Sequence, residues 1–181
     1  IFKIILATLP AIILGYFIYD YVNLYFRSIK LIAISSVVFA IILYFADRVK
    51  MESKSWNKIT YIEALVVGLF QVLAFIPGAS RAGVTITGAR LLGYDRVNAA
   101  RFSMILSIPI ILASMTLSLI NIFNEKYVAV NLYQSFSASL VAFITALLSI
   151  IFLMGFIKKT NFNIFIIYRI VLGIILLVIY V

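Results

Sequence analysis

The residues best suited to chemistry fall in one stretch, Gln71-Val72-Leu73-Ala74-Phe75-Ile76-Pro77-Gly78-Ala79-Ser80-Arg81-Ala82-Gly83-Val84-Thr85. Pro77 and Gly78 stop one helix and permit a tight turn. A helix that restarts near Ala82 leaves its first backbone N–H groups unpaired. Those donors and the positive end of the helix dipole make an anion site. Ser80 adds a hydroxyl, and Arg81 a permanent charge whose planar fork matches phosphate oxygens. Thr85 follows Arg81 by four positions, so both can sit on one helix face. The sum is a phosphate cradle. Singly, each residue has a plainer role: Arg81 can pair with a carboxylate from another span, and Ser80 can simply cap the second helix. A guanidinium inside apolar sequence, beside a helix break and two hydroxyls, favours the anion site over those roles.

Two absences limit the chemistry. The 181 residues contain no Cys and no His. That excludes a disulfide frame, a thiol nucleophile, a Ser-His-Asp triad, a His-ligated zinc and a phosphohistidine within this chain. What is left is Ser, Thr, Arg, Tyr, Gln and a few carboxylates.

The elements that must position these groups are membrane helices. Hydrophobic residues make up 65% of the chain and charged residues 12%, with a mean hydropathy of +1.20. A soluble domain of this size needs far more surface charge. The net charge of +9 does not point to nucleic acid. The basic residues sit in short gaps between apolar runs rather than on one polar face, which is the pattern of the positive-inside rule. Anionic lipid headgroups are their plain partner.

Apolar spans are expected over Ile4 to Tyr19, Leu31 to Ala46, Asn98 to Ile120, Tyr133 to Ile157 and Phe162 to Val181. Residues 61–93 are apolar but broken by Pro77-Gly78 and dotted with Gln71, Ser80, Arg81, Thr85, Thr87 and Arg90. Two short helices meeting at that break form a re-entrant hairpin, since irregular backbone at membrane depth survives only when buried or lining a wet cavity. The predicted fold is therefore an all-α polytopic membrane protein, with about five transmembrane helices and one re-entrant hairpin. If the hairpin enters and leaves on one side, gaps 47–60, 94–97 and 158–161 share that side with Arg48, Lys50, Lys54, Lys58, Arg96, Lys158 and Lys159. The opposite gaps hold Arg27, Lys30 and Lys126. The richer side is expected to be cytoplasmic and the C-terminus outside, with Trp56 as an interfacial anchor.

Other polar residues receive structural roles. Glu63 complements a helix dipole, Asp95-Arg96 forms an interfacial turn pair, and Ser103, Ser107 and Ser114 serve helix packing. Arg101 snorkels to an interface. Arg169, inside the last span, either adds a second charge to the cavity or snorkels toward Lys158-Lys159; the second is the simpler reading.

The run Pro77-Gly78-Ala79-Ser80-Arg81-Ala82-Gly83-Val84-Thr85 resembles the PGxSRSxxT motif of undecaprenyl-diphosphate phosphatases, also called bacitracin-resistance proteins. Gly68, Gln71, Gly93, Ala99-Ala100-Arg101-Phe102-Ser103 and Pro109 fit the same pattern in order and spacing. The resemblance implies a bacterial plasma (inner) membrane hydrolase that removes one phosphate from undecaprenyl diphosphate, recycling the cell-wall lipid carrier. It implies two inverted repeats, each a re-entrant hairpin plus three spans. Residues 1–46 would be the last two spans of the first repeat, 47–60 a cytoplasmic loop and 61–181 the second repeat, opening with the hairpin 61–93.

By the same carry-over, Arg81 and Ser80 are the catalytic candidates, and Gln71, Gly78, Ser80, Arg81 and Thr85 bind the diphosphate. There are departures. Ala82 stands where the family has a second serine, and the family's acidic motif and catalytic His have no counterpart here. A divalent cation, Mg or Ca, is expected to be held by that acidic motif, so no metal ligand is assigned in this chain. With Ile1 already inside an apolar run, the sequence reads as one whose N-terminus lies upstream. The segment alone is expected to hold phosphate and to hydrolyse it poorly. Expected partners are a prenyl diphosphate lipid, membrane lipids and a second copy in a homodimer, with no nucleic acid. The alternatives are a prenyl-phosphate flippase or transporter, whose architecture also uses broken helices, and a noncatalytic membrane subunit.

Overall fold

The computed structural model describes residues 2–25, 28–52, 54–124 and 132–180. Among these every regular element is a helix: α1 (Phe2–Tyr25), α2 (Ile29–Asp47), α3 (Tyr61–Val72), α4 (Arg81–Leu91), α5 (Arg96–Asn124), α6 (Leu132–Ile157) and α7 (Asn163–Tyr180). A 3₁₀ turn, Leu73–Phe75, extends α3, and another, Trp56–Lys58, precedes it. Arg27 and Lys126, and the Trp56 side chain, lie outside the described residues.

Four of these helices are long and apolar enough to cross a membrane: α2, α5 over Arg96–Ile120, α6 over Tyr133–Ile157, and α7. The expected first span lies in α1, whose apolar stretch, Phe2–Ile18, is shorter. Large side chains such as Phe136, Phe143, Leu148, Ile151 and Phe152 of α6 stand exposed. An apolar surface this extensive is stable only against lipid or protein. The chain is an all-helical, multi-pass membrane protein.

Small residues let the helices approach. Gly68 of α3 packs on the backbone of Ala7 in α1, and Gly173 of α7 packs on Ala33 and Val37 of α2. Close backbone contact of this kind replaces the hydrophobic drive that lipid removes. Between these pairs sits α4, in contact with α2, α3 and α5. The buried core has many small side chains, including Ala7, Ala40, Ala64, Ala89, Ala99 and Ala100, filled in by Leu43, Val67 and Leu106.

The three basic gaps meet at one end of the bundle. Asp47, at the end of α2, receives Arg96 Nε and Nη2 at 2.8 and 3.0 Å, lies 3.3 Å from Arg90 Nε and accepts from the Phe162 N–H at 3.5 Å. Arg90, only 1% exposed, also donates to the carbonyls of Tyr94, Asp47 and Val49. Arg96 therefore pairs with Asp47, not with its neighbour. Asp95 instead caps α5 through the Asn98 N–H at 2.9 Å. Spacing suggested the local pair; the approach of α2 to α5 decides for the distant one.

Lys54 joins the two outer ends of the α3–α4 segment. It bonds Glu63 at 3.2 Å, in the first turn of α3, and the Leu92 carbonyl at 3.0 Å, just after α4. Glu63 also forms a capping box with Thr60 and accepts from the Tyr94 hydroxyl at 2.9 Å. Its expected dipole role is borne out, with added cross-links. Hydrogen bonds to Glu52 and Glu63 hold the Lys54 ammonium above its ordinary range. Burial, then the Glu63 bond, pushes the Tyr94 hydroxyl up.

Two stability tests follow from these contacts. Asp47→Ala leaves the buried Arg90 without its counter-charge and should cost about 3 kcal/mol, whereas Asp95→Ala loses only a cap, about 1 kcal/mol. Thermal unfolding in detergent, followed by circular dichroism, checks the ratio; equal losses would contradict the pairing. Gly68→Ala places a Cβ against the Ala7 carbonyl and should destabilise by about 1–3 kcal/mol. Gly155→Ala, with nothing within 4 Å, should be neutral or mildly stabilising in the same assay.

Candidate functional site

The break between α3 and α4 is a shaped turn. After the 3₁₀ extension of α3, Ile76 is extended, and the Ala79 N–H closes back on the Ile76 carbonyl at 3.0 Å. Gly78 has φ +89, and a Cβ there would strike Ile32 and Ser35 of α2. Only glycine meets both demands. The Pro77 carbonyl accepts from the Ser35 hydroxyl, which fastens the turn to α2.

Ser80 follows with φ 65 and ψ 112, a conformation rare for a residue with a side chain. Its hydroxyl accepts from the Gly83 N–H at 3.3 Å, so the capping role is real. Strain of this kind persists where the surroundings over-determine it, and it clusters at ligand sites. The N–H groups of Ser80, Arg81 and Ala82 have no hydrogen-bond partner among the described residues.

Arg81 turns toward α3 and α5. Its Nε and Nη2 donate to Gln71 Oε1 at 3.4 and 3.2 Å, and Nη2 donates to the Leu106 carbonyl at 2.8 Å, close to the Pro109 interruption of α5. None of these partners is charged, and no carboxylate ion-pairs with Arg81 among the described residues. Gln71 is 2% exposed, and its Nε2 has no partner. A buried amide donor left unpaired costs about 1–3 kcal/mol, so an acceptor beside Arg81 would relieve it.

Thr85 lies apart. It is 1% exposed, and its hydroxyl bonds the Arg81 carbonyl at 2.9 Å and Ser103 Oγ at 2.6 Å. That contact joins α4 to α5, the packing role expected of Ser103. The structure thus brings Gln71, Arg81 and the turn residues Gly78 and Ser80 together, while the Thr85 hydroxyl is used in the helix interface.

Arg169 is the residue the sequence reading misplaced. It does not snorkel toward Lys158-Lys159. Its Nη2 donates to the carbonyls of Gly78 and Ala79 at 2.6 and 2.9 Å. The reason is tertiary: α7 packs along α2, and the turn is fastened to α2 as well, so Arg169 is nearer the turn than the polar end. The available signal was an Arg within an otherwise apolar span.

Beside the turn lies a cavity of about 520 Å³. Its polar patch is formed by Ser36, Gly78, Ser80, Gly83 and Arg169, and its walls by apolar residues including Leu43, Ile86, Leu153, Phe165, Leu172 and Leu176. Arg81 is not part of this wall. The turn therefore has two cationic flanks, Arg81 on the α3–α5 side and Arg169 on the α2–α7 side.

Such a donor-rich set suits an anion with an apolar tail. It does not suit a divalent cation: the turn's own partners include no carboxylate, and no cluster of three or more acidic, His or Cys residues occurs among the described residues. No chemical step is assigned to a metal in this chain.

Comparison with known proteins agrees with this picture. The family described as bacitracin resistance protein BacA matches residues 1–175. Proteins named undecaprenyl-diphosphatase are similar along nearly the whole chain. That of Saccharophagus degradans is 42% identical over 170 residues, covering 94% of this chain and 63% of its own length. Those of Pelagibacter ubique and Clavibacter michiganensis are each 38% identical, covering 97% of this chain and 69% and 64% of their own lengths. The chain thus spans about two-thirds of the length of these relatives. It belongs to the bacitracin resistance protein BacA family.

Proposed function

We propose that this chain supplies the Arg81 half of a bacterial inner-membrane phosphatase that converts undecaprenyl diphosphate and water to undecaprenyl phosphate and inorganic phosphate, recycling the cell-wall lipid carrier. The relatives' name supports the substrate. One observation carries the site: Arg81 is held by neutral acceptors beside the orphaned Gln71 Nε2. Its charge is not cancelled, so it is available to an anion.

The diphosphate sits against the unpaired N–H groups of residues 80–82, with Arg81 and Gln71 on its oxygens. Water attacks the terminal phosphorus, the bond from that phosphorus to the bridging oxygen breaks, and the prenyl phosphate leaves. Arg81 stabilises the charge that develops on the phosphoryl oxygens, the main contribution a protein makes to this chemistry. Ser80 holds the turn in register, and Gly78 admits it to α2. No residue described above is assigned to proton abstraction from water or to a divalent cation, so these 181 residues by themselves should release little phosphate.

The α3–α4 segment is a re-entrant hairpin in this reading. Its arms, with the 3₁₀ turn, have 12 + 3 and 11 residues, and at about 1.5 Å per residue neither reaches across a hydrocarbon core of about 30 Å. Its two outer ends are joined at the basic end of the bundle, which we take as cytoplasmic, with the C-terminus outside. Residues 1–46 then close one repeat and 61–181 form the other, around loop 47–60, and a homodimer is compatible with the exposed helix faces. The broken helix also suits a lipid flippase, and a noncatalytic subunit is the third reading.

Reconstitution of the complete gene product in liposomes separates the three. Phosphate release from undecaprenyl diphosphate is expected, with Arg81→Ala lowering the rate about 100-fold or more. Translocation without phosphate release would favour the flippase; neither activity would favour the noncatalytic subunit. Because the chain lacks Cys, single cysteines test the topology. Ser55→Cys should react with an impermeant maleimide only from the cytoplasmic face and Ser28→Cys only from the outer face. The reverse pattern would invert the orientation.

A further inference from the structure

We infer that Arg169 is a positioning residue for the diphosphate: it holds the Gly78 and Ala79 carbonyls on one side of the turn so that the free Ser80 N–H faces the anion on the other. The inference rests on the phosphatase reading and adds a residue from the last helix, acting from the opposite face of the turn to Arg81.

A trans peptide is planar, with its C=O and N–H pointing in opposite directions. Arg169 Nη2 fixes the Gly78 and Ala79 carbonyls at 2.6 and 2.9 Å. The N–H groups of the same two peptides, those of Ala79 and Ser80, are thereby turned away from Arg169. The Ala79 N–H closes the turn on Ile76. That of Ser80 has no partner among the described residues, and neither do those of Arg81 and Ala82. Without Arg169 the Gly78–Ala79 peptide would still be held by its bond to Ile76, but the Ala79–Ser80 peptide would be free to swing its carbonyl toward the phosphate oxygens, replacing attraction with repulsion.

The unusual φ of 65 at Ser80 points the same way. A residue with a side chain stays in such a conformation only when its neighbours enforce it. Here the restraints on either side of Ser80 are the Arg169 bonds to Gly78 and Ala79 and the Ser80–Gly83 cap. Gly83 also explains how the clamp reaches the turn. A Cβ at Gly83 would lie 2.8 Å from Arg169 Nη1, so the absence of a side chain there leaves room for the guanidinium.

The test uses the complete gene product in detergent and two probes: farnesyl methylenediphosphonate, which carries a headgroup that resists hydrolysis, and farnesol, which carries none. Arg169→Gln should weaken diphosphonate binding about 10–100-fold and leave farnesol binding and the melting temperature near those of the parent. Arg169→Lys, whose ammonium can still donate to the carbonyls, should recover most of the loss. Gly83→Ala, which displaces the guanidinium, should give an intermediate loss. Equal loss of both probes would reduce Arg169 to a scaffold residue and overturn the inference, as would undiminished diphosphonate binding by Arg169→Gln. If the parent protein binds neither probe and releases no phosphate, the phosphatase reading itself fails; if it binds and turns over while Arg169→Gln is unaffected, only the positioning role fails.

Discussion

A helix cannot be broken among apolar spans without finding partners for the backbone groups it releases, because lipid offers none. The 77–80 turn meets that constraint unevenly. Its carbonyls are taken by Ser35 and Arg169, whereas the N–H groups at the start of α4 are left over. An excess of donors, with the positive end of a helix behind them, is what an anion needs. The candidate site follows from this imbalance more than from any single side chain.

The arginines divide by the partners they find. Arg90 and Arg96, at the basic end, converge on Asp47, whose one carboxylate balances one of the two charges, and their work is to join α2, α4 and α5. Arg81 and Arg169 bond only neutral acceptors, an amide and backbone carbonyls. A guanidinium satisfied in hydrogen bonds but not in charge still attracts an anion. That difference separates Arg90 and Arg96, which are structural, from Arg81 and Arg169, the candidate functional pair.

Glycine makes the arrangement fit. Gly78 brings the turn onto α2, Gly173 brings α7 onto the same helix, and Gly83 clears space beside the Arg169 guanidinium. These contacts hold one short helix break against α2 and within reach of α7, so that Gly78, Ser80 and Gly83 themselves form part of the cavity wall. The cavity beside the turn has a largely apolar lining, of the kind that takes a hydrocarbon chain.

By itself the sequence determined the helical membrane class and the break at Pro77-Gly78, because composition and helix-breaking residues act locally; it also singled out Arg81 as a candidate, and the family resemblance added Gln71. The grouping of the basic gaps at one end was legible too, from the parity of the expected spans. What only the tertiary structure decided were the long-range partners. Arg96 takes Asp47 rather than Asp95, the Thr85 hydroxyl meets Ser103 of α5, and Arg169 reaches Gly78 and Ala79 rather than the polar end. Each of these depends on which helices lie side by side. A long, flexible side chain bonds whatever acceptor that packing brings within reach, and residue spacing along one helix carries no information about its neighbours.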